Sequence, residues 1–166
     1  MSDRTYTRFS IPISVLADTA KTNVVRNAFC LTTVELQRVI LSVPEPDEAT
    51  GYEGTTVRLV DAIPCLVHED PDCNHGGSEI EQALADAGVP YLRANATGHE
   101  YGPSASAFLP DDSETIRLDH NLAPVIAIGV IDGRITLDQQ EVRDFEHYQQ
   151  VRRAVLLWPA LATHAA

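Results

Sequence analysis

The chain has 166 residues, a formal net charge of −12, 44% hydrophobic residues and 22% charged residues. This length fits one domain, and the composition excludes a chain that is disordered throughout. No run of about eighteen apolar residues is present, so we expect no membrane span, and the negative charge argues against direct contact with nucleic acid. The N-terminal residues lack the apolar core of a signal peptide, and three cysteines cannot all pair, so we expect a reduced, cytoplasmic protein.

The first half of the chain predicts two strands and two helices. Apolar and polar side chains alternate over residues 4–16 and 55–69, which is typical of strands. Residues 18–30 fit a short helix, and residues 32–43 fit a second helix that opens with a capping box, although their apolar spacing also fits a strand. Residues 44–54 are rich in proline, glycine and acids, which predicts a surface loop.

The next segment predicts one helix and three strands. Residues 77–88 carry the clearest start of a helix in the chain, with Ser78 as the N-cap and a glutamate three positions later. Residues 89–96 and 104–110 are expected to be strands, and residues 111–119 a turn followed by a strand.

The C-terminal part predicts a hairpin and a long helix. Residues 123–137, APVIAIGVIDGRITL, place Asp132-Gly133 at a turn, and the nearly continuous apolar run before it predicts a central strand buried on both faces. Residues 138–158 fit an amphipathic helix, and we expect 159–166 to be a disordered tail. The whole chain therefore predicts a single α+β domain over 1–158, with a mixed, mostly antiparallel sheet of about six strands and about four helices.

The stretch CLVHEDPDCNH carries the residues that most resemble a metal site. Cys65, His68, Cys73 and His75 are the ligand types that zinc prefers, and four of them suffice for a tetrahedral site. The spacing of the second pair, with one residue between the two ligands, is unusual for zinc modules. The alternative is that Cys65 is a small hydrophobic residue in a buried strand that runs into an acidic loop, with no metal bound.

The loop TGHEYGPS is a second candidate for chemistry. His99 and Glu100 could act as an acid–base pair, but the same residues, with Tyr101, fit a turn whose conformation is set by the flanking glycines and proline. Templates for a nucleophile elbow, a phosphate-binding loop, a dinucleotide fold and a calcium loop are absent from the sequence.

The middle of the chain carries the charge imbalance. Residues 44–119 hold 16 acids and three bases. Such a surface attracts basic proteins. We therefore expect a non-catalytic protein that binds a basic protein surface. The expected contact residues are Glu69, Asp70, Asp72, Asp111, Asp112 and Glu114.

In size and charge the chain is similar to inhibitors that phages and plasmids carry against restriction enzymes and CRISPR complexes. That similarity implies a basic nucleic-acid-handling complex as the partner, blocked where DNA or RNA would lie. Two alternatives use the zinc ligands: a small zinc-dependent hydrolase or deaminase with Glu69 or Glu100 as the base, and an adaptor stabilised by zinc. The sequence leaves the formation of a homo-oligomer open.

Overall fold

The structure is a computed structural model that describes residues 4–48, 50, 53–74, 77–96, 102–119 and 121–159. Within these residues the chain forms nine strands, four α-helices and one 3-10 helix. In chain order they are β1 (Arg4–Pro12), the 3-10 helix (Ile13–Ala17), α1 (Thr19–Ala28), α2 (Thr33–Ile40), β2 (Glu45–Pro46), β3 (Gly54–Val60), β4 (Ile63–Asn74), α3 (Ser78–Asp86), β5 (Tyr91–Asn95), β6 (Ser104–Leu109), β7 (Asp112–Arg117), β8 (Ile128–Ile131), β9 (Arg134–Leu137) and α4 (Gln139–Leu156).

Seven of the strands form one sheet in the order β2-β3-β4-β1-β5-β6-β7. The N-terminal strand β1 lies at the centre and pairs antiparallel with β4 on one side and β5 on the other. The two-residue strand β2 is parallel to β3, which makes the sheet mixed. β8 and β9 pair only with each other, as a separate two-stranded sheet.

Helices cover both faces of the seven-stranded sheet. The three-helix face, packed by α1, α2 and α3, has a core of Phe9, Ile11, Val25, Phe29, Leu36, Val57, Leu66, Leu84 and Tyr91. The α4 face, packed by α4 alone, has a core of Val60, Cys65, Val67, Leu92, Ala107, Ile116, Tyr148, Val151 and Val155. Successive residues of a strand point to opposite faces, so β4 and β5 each supply both cores.

The fold class predicted from the sequence is confirmed: the chain is α+β, with four α-helices and a mixed, mostly antiparallel sheet in the described residues. The number of strands is higher than expected. The cap of α3 was mispredicted, because Gly77 occupies the N-cap position with a left-handed φ of 76°. The described helices include none long and apolar enough to cross a membrane. Of the predicted tail, only Pro159 lies within the described residues.

The largest departure from the sequence prediction is the hairpin. The prediction of a central strand buried on both faces is wrong for β8, in which all four residues are exposed. The hairpin itself is as expected, since β8 and β9 pair antiparallel, and Asp132 and Gly133 adopt the positive φ values (51° and 73°) of a tight hairpin turn. A continuous apolar run is compatible with a buried strand and with a strand that projects from the sheet, so the sequence alone could not distinguish these two environments.

Candidate functional site

The four predicted zinc ligands are not brought together by β4. Cys65 belongs to the core under α4, whereas His68 stacks on Phe29 of α1 with ring centroids 4.5 Å apart. The two side chains therefore lie on opposite faces of the sheet, and one ion cannot bind both. His75 lies outside the described residues, as do His99, Glu100 and Tyr101.

The local electrostatics also keep these side chains neutral. Burial raises the pKa of the Cys65 thiol to about 12 and that of the Cys73 thiol to about 11. Burial lowers the pKa of His68, whose Nδ1 lies 2.9 Å from the hydroxyl of Thr55. Among the described residues, no group of three cysteine, histidine or acidic side chains could hold a metal ion. Cys65 therefore fits the alternative interpretation from the sequence, in which it is a small hydrophobic residue of a buried strand.

Glu69 was expected on a partner-binding surface, but it is 2% exposed. Its Oε2 lies 2.9 Å from Nη2 of Arg58, and its carboxylate accepts hydrogen bonds from the hydroxyls of Tyr6 (2.6 Å) and Thr50 (2.7 Å). Burial alone would raise the pKa of Glu69, but these hydrogen bonds and the Arg58 charge outweigh it and lower the pKa. Glu69 therefore stays ionised inside the fold and presents no surface to a partner.

Two other predicted contact residues are engaged within the molecule. Asp112 and Glu114 of β7 point to the α4 face, where Asp112 Oδ2 lies 3.0 Å from Nε2 of His147 and Glu114 Oε2 lies 2.9 Å from Nδ1. Hydrogen bonds that the carboxylates of Glu114 and Asp112 accept from the imidazole raise the pKa of His147. Of the six acids, Asp72, Asp111 and Asp112 are exposed, Asp70 and Glu114 are partly exposed, and Glu69 is buried.

The most distinctive exposed feature is an apolar surface on the hairpin. The strand register pairs Ile128 with Leu137 and Val130 with Ile135, which places these four side chains on one side of the two-stranded sheet. Their exposed fractions are 68%, 51%, 72% and 76%, in the same order. We call these four residues the hairpin face.

The opposite side of the hairpin has a different character. It presents Gly129, Ile131, Arg134 and Thr136, so only one large apolar side chain is found there. The hairpin is linked to the domain at its base, where Asp138 N donates to Ala127 O (2.9 Å) and the Glu141 carboxylate accepts from Ala127 N. An isolated two-stranded sheet is marginally stable in water, so the hairpin face is an element that gains from being covered.

Sequence reasoning found this hairpin but assigned it to the interior. The signal that could have corrected this is the return strand RITL, in which only two of four residues are large and apolar. A strand buried on both faces would be flanked by strands that are apolar throughout.

Comparisons with known proteins add no identification. The chain matches no protein-family model, no curated protein and no solved structure.

Proposed function

We propose that the protein is a non-catalytic binding protein that docks, through the hairpin face, on a protein surface with an apolar centre and a basic rim. The observation that carries the proposal is the exposure, between 51% and 76%, of four large apolar side chains on one face. Fully burying one such side chain contributes about 1.5–3 kcal/mol, and contiguous exposed apolar patches commonly mark interaction sites.

Charge complementarity supports a basic partner. The hairpin itself carries one acid, Asp132, and one base, Arg134, whereas the chain as a whole carries −12. An approaching basic surface is therefore attracted by the molecule and meets a nearly neutral apolar contact at its centre. A second copy of the chain would be repelled at long range, because both copies carry the same negative charge.

The partner class that the charge supports is a basic nucleic-acid-handling complex, and the protein would then act as its inhibitor. Three acids at the surface, Asp70, Asp72 and Asp111, are expected to steer association and contribute less than the apolar contact. The zinc-enzyme alternatives have less support, because Cys65 and His68 lie on opposite faces and Glu69 is held by Arg58.

The test compares two matched substitutions on opposite sides of one hairpin. Ile135→Lys places a charge in the centre of the hairpin face, and Ile131→Lys places the same charge on the opposite side, at a residue with a similar exposed fraction of 63%. Wild type and both variants are immobilised and exposed to nuclease-treated host lysate. The captured protein is then purified, and its affinity for the wild type and for each variant is measured.

The proposal expects a captured protein with a basic surface whose affinity falls about tenfold or more with Ile135→Lys and less than about twofold with Ile131→Lys. Circular dichroism first establishes that both variants are folded. Equal affinities for the two folded variants would overturn the assignment of this surface. Sedimentation of the wild type as a dimer that Ile135→Lys converts to a monomer would assign the hairpin face to a second copy instead.

A second pair of variants tests the charge contribution. Asp72→Lys and Asp111→Lys together should slow association and reduce its dependence on salt, while the dissociation rate changes little. A large change in the dissociation rate with unchanged association would place these acids inside the contact, which contradicts a steering role.

A further inference from the structure

A cavity of about 410 Å³ lies on the α4 face of the sheet, apart from the hairpin face. Its floor is formed by β1, β5 and β6, and one wall is formed by Tyr148, Gln149 and Arg152 of α4. This volume lies within the usual range for small-molecule sites.

The cavity exists because three strands place small side chains side by side. Ser10 of β1 lies opposite Leu92, and Ala94 of β5 lies opposite Ala105 of β6, all facing the same side of the sheet. Under α4 itself the neighbouring space is filled by large residues such as Val151 and Val155. Where the helix no longer covers the sheet, the small residues leave a depression.

One side of the cavity is apolar, and the other carries two arginines and the carboxylate of Asp47. Leu92, Ile116, Leu118 and Leu122 form the apolar side. Arg8 and Arg152 line the other side, each in an ion pair with one acid, Asp47 and Asp61 respectively. Asp47 also acts electrostatically on Arg152, so its carboxylate is attracted by both cations.

A buried arginine donor beside the cavity is left without an acceptor. No acceptor among the described residues reaches the buried Nε of Arg8, a residue that lines the cavity. A buried donor without an acceptor destabilises the fold, and an acceptor on a bound ligand that reaches it would remove that penalty.

We propose that this cavity binds a small amphipathic carboxylate, with its apolar body against Leu92, Ile116 and Leu118 and its carboxylate beside Arg8 and Arg152. A guanidinium matches a carboxylate in geometry and charge, and hydrogen bonds between ionised partners are roughly twice as strong as neutral ones. The cavity lies apart from the hairpin face, and binding there does not depend on the protein partner. It would give the protein a second, independent binding activity.

The experiment titrates the wild-type protein with octanoate and, separately, with its uncharged analogue octanamide, and follows backbone amide signals by NMR. Octanoate is expected to shift the amides of Ser10, Ala94 and Ala105, and octanamide should bind about tenfold more weakly or worse. Shifts confined to Val130 and Ile135 of the hairpin face, or equal binding of the two compounds, would overturn the proposal. The absence of shifts at millimolar octanoate would overturn it as well.

Matched variants locate the two halves of the site. Arg152→Gln should weaken octanoate binding about tenfold and leave octanamide unchanged, whereas Arg153→Gln, the same change at the exposed neighbouring position, should leave both unchanged. Ala94→Leu should prevent binding of both compounds by occupying the floor. Equal weakening by Arg152→Gln and Arg153→Gln would show a general charge effect and contradict the assigned site. Because the wild-type shifts are measured first, a variant that fails to fold does not leave the proposal undecided.

Discussion

The two faces of the seven-stranded sheet differ in the side chains that the same strands contribute to them. On the three-helix face, Phe9 of β1 contacts Phe29 and Tyr91 with ring centroids 6.3 Å and 5.9 Å apart, and Tyr91 stacks on Phe108 at 5.1 Å. On the α4 face, the residues that flank Phe9 are Arg8 and Ser10, and both line a cavity.

The difference follows from the number of covering helices. Three helices fill one face, and large aromatic side chains there leave little free space. One helix covers only part of the other face, and the remainder is occupied by small residues and by arginines paired with acids. The first face serves stability, and the second has room for binding.

The largest effect is expected from the ion pair on the α4 face. Glu69→Gln leaves the buried guanidinium of Arg58 without its counter-ion, so the free energy of unfolding should fall by about 3–5 kcal/mol. Urea unfolding at neutral pH measures this loss. The control is the double variant with Arg58→Met, which removes both charges and should be more stable than Glu69→Gln alone. A double variant as unstable as the sum of the two single variants would show that the two side chains do not act as a pair.

A smaller effect is expected on the three-helix face, at Gly77. Its φ of 76° is left-handed, and a Cβ there would lie 2.8 Å from Cε2 of the buried Phe9 ring. Gly77→Ala should therefore cost about 2–4 kcal/mol, from backbone strain together with the clash.

Gly133→Ala is the matched control, because Gly133 has a similar φ of 73° but open space around its Cα. Strain alone should cost about 1–2 kcal/mol there. Urea unfolding of both variants separates the two contributions. Equal losses would mean that the Phe9 ring moves aside freely, and the three-helix face would then be less tightly packed than the other contacts indicate.

The sequence predicted the periodic elements of both faces but not the environment of single residues. Alternation in β1 and β3 and helical spacing in α4 are local patterns, and they gave the fold class. Whether Glu69 meets solvent or Arg58 depends on strand pairing between residues far apart in the chain. Because a charged residue in a strand fits both situations, sequence reasoning assigned the buried Glu69 to the surface.

The metal prediction shows where the sequence could have been used more fully. Cys65 and His68 are three residues apart, and in a strand that spacing places them on opposite faces. The strand predicted over residues 55–69 already contained both residues, so the sequence itself argued against a shared ion, and β4 extends through both. The cavity gave no local signal at all, since Ser10, Ala94 and Ala105 come from three separate strands.

The cavity makes the two-face comparison testable through packing. Ala94→Leu, at the cavity floor, should change the free energy of unfolding by less than about 1 kcal/mol, because free space accepts the larger side chain. Ala107→Leu is the control, since Ala107 lies on the same face of β6 but is fully buried in the core under α4. It should lose about 1–3 kcal/mol in urea unfolding. Equal losses for the two variants would show that the α4 face is packed as tightly as the three-helix face.

The smallest effect is expected at the margin of the α4 face, where His147 of α4 lies between Asp112 and Glu114 of β7. Glu114 and Asp112 accept hydrogen bonds from the imidazole and raise the pKa of His147, so its protonated form is favoured in the folded state. The stabilisation is therefore complete below the unfolded-state pKa of about 6.5 and is lost as the pH rises through the higher folded-state pKa.

His147→Gln should remove this part of the pH dependence. The melting temperature of the wild type should exceed that of the variant at pH 6, and the difference should shrink towards pH 9. Because His147 is 41% exposed, salt should reduce the difference at pH 6. A difference that stays constant across this pH range would mean that the imidazole contributes packing and not charge. In that case Asp112 and Glu114 gain nothing from the imidazolium charge, and both carboxylates would be available to a basic protein.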